Sequence, residues 1–485
     1  MGTPPAHRRR AYVETYGCQM NIADGELMEG VLEDRGYAIA AAPEEADVIV
    51  VNTCAIREHA ERRVLGRVGQ LSGLRRARPS LRIAVAGCMA QRMGDDLLER
   101  MPAVDLVVGP DGYRGLAEAL DSVGASGSEP DGSSAVDRRL SVVDLSLDEN
   151  YQGLEQRRRS GVTAWVPVQR GCNHRCTFCI VPYVRGPEKN RAPAEVVAEI
   201  ERIADSGVTE VTLLGQTVNS YSHGGWSFAR LLREVASVPG IRRVRFTSPH
   251  PNDVTEELVE TMATEPAACE HLHLPAQSGS DRVLRRMVRR YTRATFMEKV
   301  EMVRSGVPGV ALSTDLIAAF PGETEADFGE TLDLVAEARF DEAFTYRYSP
   351  RPGTPATRLP SRDAVPDEEA ASRLHRLIEA TRAVQAEINR AEVGRVAEIL
   401  VERTAKREGM VLGRTRANKA VAVRGAPAEI GRYLTVRLTG TTGVTFVGEV
   451  VAEGETEGFA TDHAPATALA GGVTEAARAA GGGRR

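Results

Sequence analysis

Cys172-Asn173-His174-Arg175-Cys176-Thr177-Phe178-Cys179 puts three of the chain's seven cysteines into one short loop, spaced as CxxxCxxC. Ahead of it, Ala164-Trp165-Val166-Pro167-Val168-Gln169 is apolar and reads as a strand; after Pro193, the run Ala194 to Ile203 reads as a helix. The loop therefore sits at the C-terminal end of a strand, where α/β folds place their chemistry.

Three thiols this close suit a metal better than a disulfide. They are one short of the four that close a zinc site or an iron–sulfur cube. A zinc ribbon would need a second Cys or His pair nearby, and none follows. A cube held by three cysteines leaves one iron open to an outside ligand. CxxxCxxC on a strand-to-helix loop resembles the signature of the radical S-adenosylmethionine (SAM) enzymes. That resemblance implies that the amino and carboxylate groups of SAM chelate the open iron.

The rest of the composition sets bounds. A length of 485 residues suggests about three domains, and 42% hydrophobic with 26% charged residues is ordinary for a globular protein with sizeable cores. Seven cysteines are too few and too oddly numbered for a disulfide framework, so a reducing compartment, the cytoplasm, is expected. The N-terminus has charge without an apolar core, and no apolar run approaches the roughly 18 residues of a membrane span. A net charge of −6 does not advertise a nucleic-acid binder, although a local basic face suffices to engage phosphates.

Residues 9–125 alternate strand and helix. Strands are expected at Arg10–Tyr16, Asp47–Asn52, Arg82–Ala86 and Val104–Val108, with helices between, giving a parallel sheet of flavodoxin-like type. Cys18, Cys54 and Cys88 each fall just past one of the first three strands. In a parallel sheet those ends share one edge, so three distant cysteines can converge there. Gly17 and Gly87, just before two of them, would let backbone approach an inorganic cluster. A second three-cysteine iron–sulfur site is the reading preferred over three ordinary buried thiols.

Residues 126–157 read as a Gly/Ser/Pro-rich linker. From 158 to 391 the βα pattern resumes, with six strand–helix units that imply a partial TIM-like (βα)6 barrel. Its strand ends carry Gln216, Asn219, Gln277, Ser278, Ser313 and Asp315, polar groups of the kind a ligand such as SAM needs. His174 reads as a spacer, His271 and His273 as barrel lining or core, and Cys269 as a packed thiol. Residues 392–454 show five short Gly-punctuated strands, a small OB- or SH3-like barrel. Arg403, Lys406, Arg407, Arg414, Arg416, Lys419, Arg424, Arg432 and Arg437 would give it a basic, RNA-binding face, with Arg414, Arg416 and Lys419 the chosen contacts. Residues 455–485 read as a disordered tail.

Taken together, residues 10–452 resemble the methylthiotransferases of the radical SAM superfamily: an N-terminal three-cysteine domain, a radical SAM barrel and a C-terminal TRAM barrel. Thr15-Tyr16-Gly17-Cys18-Gln19-Met20-Asn21, Asn52-Thr53-Cys54-Ala55-Ile56-Arg57-Glu58 and Leu214-Gly215-Gln216-Thr217-Val218-Asn219-Ser220-Tyr221 are similar to the branch that acts on tRNA. The ribosomal-protein branch usually has a Lys-Asn pair where Gln19-Met20-Asn21 stands, and the threonylcarbamoyl-adenosine branch differs after the second cysteine. The resemblance implies two [4Fe–4S] clusters: one with SAM on Cys172, Cys176 and Cys179, and an auxiliary one, handling sulfur, on Cys18, Cys54 and Cys88. It also implies a tRNA partner with an isopentenylated anticodon loop, methylthiolated at adenine C2 of position 37, and an electron donor such as flavodoxin or ferredoxin. One SAM would serve radical C–H activation and a second would give the methyl group. The adenine C2–H is neither acidic nor attached to a leaving group, which closes acid–base and nucleophilic routes. Two other functions stay open on the residues: methylthiolation of a ribosomal-protein aspartate, and a non-catalytic iron–sulfur RNA-binding protein.

Overall fold

The structure, a computed structural model, describes residues 8–55, 58–123, 139–158 and 161–451, leaving aside the side chains of 58–60 and 62. The expected tail and the first part of the expected linker lie outside the described residues.

Along Val48-Ile49-Val50-Val51, alternate side chains go to opposite faces. Val48 and Val50 join one apolar core, Ile49 and Val51 another. This is a strand buried on both sides, as a helix-covered parallel sheet requires. It belongs to a parallel sheet ordered β2-β1-β3-β4-β5-β6, made of Arg10–Thr15 (β1), Ala38–Ile39 (β2), Val48–Thr53 (β3), Arg82–Gly87 (β4), Leu106–Val108 (β5) and Leu140–Val142 (β6). The flavodoxin-like order 2-1-3-4-5 is present, with β6 added. Two elements differ from expectation. β2 is too short for its periodicity to be read. β6 pairs with β5, so Leu140–Val142 of the expected linker belong to the sheet, and Tyr151 packs into the same core.

The central unit contains Thr163–Pro167 (β7), Glu210–Leu214 (β8), Arg243–Phe246 (β9), His271–His273 (β10), Ala311–Ala318 (β11) and Glu342–Arg347 (β12). They form two parallel three-stranded ribbons, β7-β8-β9 and β10-β11-β12, joined by a bridge between Val244 and Ala268. The result is the expected open (βα)6 barrel. Val211, Leu213, Leu272 and Leu312 point outward into the core under the helices, so Glu210, His271, His273, Ser313 and Asp315 face the lumen.

Helix Asp367–Glu392 leads to a closed five-stranded barrel of Val396–Thr404 (β13), Met410–Thr415 (β14), Ala420–Arg424 (β15), Tyr433–Thr441 (β16) and Phe446–Val450 (β17). Its end carrying residues 414–419 plugs the N-terminal mouth of the larger barrel. The fully buried Arg243 donates from Nη1 to the Arg414 carbonyl (2.9 Å), and Arg245 donates to the carbonyls of Thr415 and Arg416 (both 2.7 Å). Between the two barrels a cavity of about 170 Å³ is lined by His271, Ser313, Glu342, Asn389 and Arg414, among others. Among the described residues, no helix is long and apolar enough to cross a membrane.

Candidate iron–sulfur and SAM site

The CxxxCxxC loop leaves β7 and is pinned on both sides. The Cys172 amide donates to the Gly186 carbonyl (3.1 Å), the Thr177 amide to Met287 (3.0 Å), and Ala356 donates back to Thr177 (2.8 Å). At the sulfurs, Thr217 Oγ1 lies 3.6 Å from Cys172 Sγ, and the buried Arg289 donates to Cys176 Sγ at 3.4 Å. Burial pushes the Cys179 thiol up to about 12, with Cys176 adding to it, and raises Cys172 as well. A dry pocket of thiols with one guanidinium calls for a cationic metal to hold them as thiolates.

The second trio is built from three strand ends. Cys18 caps helix Gln19–Asp34 after β1, Cys54 follows β3, and Cys88 opens the helix after β4. Asn21 and Asn52, both fully buried, tie these ends together: Asn52 Nδ2 donates to the Asn21 carbonyl (2.7 Å) and Asn21 Nδ2 to the Thr53 carbonyl (3.1 Å). A hydrogen bond with Cys54, opposed by burial and aided by the Arg185 charge, brings the Cys18 thiol down to about 6. Gly87 has φ +98°, and a Cβ there would stand 2.4 Å from the Thr53 carbonyl oxygen. The glycine is needed because backbone passes so close.

Both trios fit a cluster better than a single ion. Around one zinc, sulfurs about 2.3 Å from the metal stand about 3.8 Å apart. Among the described residues, neither trio gathers its three sulfurs within 4.8 Å. A cube presents irons at separate corners and takes more widely spaced thiolates.

The trios meet across one seam. Cys18 packs with Trp165 and Leu214 of the barrel, and Cys88 and Ala55 pack with Ile180 and Val184, just after Cys179. Asp111 locks the seam, accepting from Arg170 Nη2 (2.9 Å) and Lys189 Nζ (2.8 Å), with all three side chains at most 5% exposed.

The six polar strand-end residues have different fates. Gln216 keeps a buried Oε1 with no hydrogen-bond partner, an acceptor still open to a ligand. Asp315 faces the lumen 3.5 Å from His273 Nε2. Asn219 is spent on the His250 backbone, donating to its carbonyl (2.9 Å) and accepting from its amide (2.7 Å). Ser278 is buried, with its Oγ 3.3 Å from Thr331 and accepting from the Ser280 amide (3.2 Å). Gln277 is buried at φ +68° and bridges to β11 through its backbone. Ser313 lies between His271 Nε2 (3.2 Å) and His273 Nδ1 (3.0 Å) and lines the cavity toward the C-terminal barrel. Asn219, Ser278 and Ser313 already have partners within the protein, so strand-end polarity here also serves loop geometry.

The three expected RNA contacts each have a carboxylate partner. Arg416 binds Glu270 through two 2.9 Å hydrogen bonds, Lys419 pairs with Asp341 (2.7 Å), and Arg414 pairs with Glu402 (3.4 Å). The first two are buried between barrels, a use sequence cannot distinguish from a basic face. Arg403, Lys406, Arg407, Arg424 and Arg432 are exposed and, among the described residues, have no carboxylate at ion-pair distance.

His174 is more than a spacer. Its ring stacks on His250 with centroids 3.8 Å apart and 11° between planes, and its Nε2 is 3.2 Å from Asp253. Burial, with the Arg289 charge next, pushes His250 down to about 2, so that ring is neutral at physiological pH. Parallel rings aim their nitrogens side by side rather than at one point, so this trio makes a poor chelate. Arg185, Asp24 and Arg289 carry no signal in the sequence, because a buried charged side chain follows no periodicity.

An open six-stranded parallel barrel with a three-cysteine loop at its C-terminal mouth defines a radical SAM enzyme, and the comparisons agree. Residues 10–109 match the family described as Uncharacterized protein family UPF0004, 166–335 the Radical SAM superfamily and 390–451 the TRAM domain. Among solved structures, the radical S-adenosylmethionine methyltransferase TsrM from Kitasatospora setae, with cobalamin and a [4Fe-4S] cluster bound, is similar in fold. It has a TM-score of 0.54 and 16% identity over 72% of this chain and 74% of that one. The tRNA-2-methylthio-N(6)-dimethylallyladenosine synthase of Chloroherpeton thalassium is 41% identical over 92% of this chain and 96% of its own length. That of Moorella thermoacetica is 44% identical over 89% and 96%. The chain belongs to the family of tRNA-2-methylthio-N(6)-dimethylallyladenosine synthases.

Proposed function

We propose that this enzyme converts N6-isopentenyladenosine at position 37 of tRNA to its 2-methylthio derivative, in the cytoplasm, with electrons from a flavodoxin or ferredoxin. The observation that carries this reading is the pairing of two three-cysteine sites across one seam, with Cys88 packed against Ile180 beside Cys179. Cys172, Cys176 and Cys179 would hold a [4Fe–4S] cluster whose open iron takes SAM. Cys18, Cys54 and Cys88 would hold the cluster that handles sulfur. When bound, the SAM-ligated cluster supplies the one-electron cleavage of SAM that no side chain offers, and a hydrogen atom can then be taken from an unactivated C2–H.

The chain's own residues bind, orient and shield. Gln216 and Asp315 offer polar atoms to SAM from the strand ends, and Asn219 fixes the loop that carries His250. Asp111, between Arg170 and Lys189, keeps the sulfur-handling edge against the cluster loop and keeps water out of the seam. On the TRAM barrel, Arg403, Lys406, Arg407, Arg424 and Arg432 are the cations free to meet RNA phosphates. We assign residues 10–158 to the N-terminal domain, 161–391 to the radical SAM domain and 392–451 to the TRAM barrel. The test is mass spectrometry of tRNA nucleosides from cells with and without the gene. Loss of the methylthio nucleoside, with the isopentenyl precursor accumulating, supports the reading; an unchanged profile overturns it.

A further inference from the structure

Among the described residues, each cysteine trio is met by a buried arginine. Arg289 donates to Cys176 Sγ, to the Tyr291 hydroxyl (2.9 Å) and to the Pro275 carbonyl (3.0 Å), all within the barrel. Arg185 instead crosses between domains. It stands six positions after Cys179, behind the turn of helix Val181–Val184, yet its Nε donates to Cys88 Sγ at 3.2 Å. Its Nη2 reaches Asp24 Oδ2 at 2.5 Å, and the two side chains are 3% and 1% exposed. Asp24 lies on the helix that Cys18 caps. Among the described residues, Arg185 Nη1, Asp24 Oδ1 and the Tyr113 hydroxyl are buried without hydrogen-bond partners.

The order of charges is sulfur, guanidinium, carboxylate. A cysteine-held cluster becomes more negative on reduction. A fixed cation donating to a ligand sulfur favours the reduced form, and an anion behind it offsets part of that effect, more strongly in a dry pocket than in water. We propose that Arg185 and Asp24 are positioning residues that set the reduction potential of a cluster on Cys18, Cys54 and Cys88, Arg185 raising it and Asp24 lowering it. This rests on the assignment of a second cluster to that trio.

The parent for the test is the full chain carrying Cys172→Ala, Cys176→Ala and Cys179→Ala, reconstituted anaerobically, in which only the second cluster is present. Its midpoint is read by redox titration followed by electron paramagnetic resonance, with iron counted in parallel. Arg185→Gln is expected to make reduction at least tenfold less favourable, a downward shift of about 59 mV for a one-electron couple. Asp24→Asn is expected to move it upward, and the double variant to return toward the parent. A contact that merely docks the domains would leave the midpoint alone or move both variants the same way, which overturns the inference. If Arg185→Gln fails to retain iron, Asp24→Asn decides alone: a raised midpoint supports the proposal, and an unchanged or lowered one refutes it. A parent that binds no iron overturns the second-cluster assignment itself, whereas bound iron with unmoved midpoints overturns only the role of the pair.

Discussion

Replacing Asp111 with alanine removes the buried carboxylate that accepts from both Arg170 and Lys189 across the domain seam. Asp111 is fully buried at its side chain, Arg170 is 1% exposed and Lys189 5%, so both cations lose their carboxylate away from bulk water. Breaking a buried ion pair by deleting one partner costs about 3–5 kcal/mol, because the other charge is left unpaired in a poorly solvating pocket. Arg170 keeps some compensation, since its guanidinium lies 3.4 Å above the Tyr151 ring and donates to the Glu149 carbonyl at 3.1 Å, which favours the lower end of that range. Lys189 retains the Ser146 carbonyl at 2.8 Å and the more distant charge of Glu149, against the repulsion of Arg170. Burial already pulls the Lys189 ammonium below the usual lysine value, and Asp111 opposes that pull. Without Asp111 the folded-state pKa falls further, so between it and the unfolded value of 10.5 the unfolded chain binds more protons. Stability of the variant then rises with pH across that window, and the penalty shrinks on going from neutral to alkaline solution. A three-domain chain does not unfold in two states, so hydrogen exchange of the seam amides, at Gly109, Asp111 and Gly112 and from Arg170 to Cys172, is the better readout than a single melting temperature. Where exchange reports seam opening, about 3 kcal/mol corresponds to about a hundredfold faster exchange, at 1.4 kcal/mol per tenfold. Exchange within threefold of wild type at these amides, or a penalty that grows with pH, would refute the reasoning.

Gly87→Ala puts a Cβ 2.4 Å from the Thr53 carbonyl oxygen at φ +98°, so Cys88 should shift and iron should fall from ~8 per chain toward half after reconstitution; full loading would contradict this. A double-mutant cycle of Arg416→Ala and Glu270→Ala should return a coupling of about 1–3 kcal/mol for docking of the TRAM barrel, read by limited proteolysis between the barrels; additive effects would count against the pairing. For tRNA binding, substituting Arg403, Lys406, Arg407, Arg424 or Arg432 should lower the slope of log affinity against log salt by about 0.7–0.9 for each phosphate no longer neutralised. Lys419, held by Asp341 and Glu392, should leave the slope unchanged.

What could be read in advance follows from how local the determinants are. The CxxxCxxC loop, the cysteine after each of β1, β3 and β4, and the six barrel strands are all visible as spacing or alternation along the chain. β2 and β6, two and three residues long, carry too few side chains to show a period, and their pairing is a property of the sheet. Charged residues were the least legible. Arg416 and Lys419 look like solvent-facing cations, but their carboxylate partners stand 146 and 78 positions earlier (Arg416 − Glu270 and Lys419 − Asp341), in the other barrel. Arg185 sits in a short apolar run, and only folding brings Asp24 and Cys88, 161 and 97 positions away, within its reach. His174 reads as filler between ligands because its stacking partner, His250, arrives from a different strand end.

The most direct measurement reconstitutes the enzyme anaerobically and supplies SAM, a reductant and tRNA bearing isopentenyladenosine. Its products are compared with those of a variant in which Cys18, Cys54 and Cys88 are all alanine. The wild-type chain is expected to release 5′-deoxyadenosine and form the 2-methylthio nucleoside. The variant should still release 5′-deoxyadenosine but leave the nucleoside without sulfur. Methylthio product from the variant, or SAM cleavage by the wild type with the tRNA unaltered, would contradict the assignment of sulfur handling to the second trio.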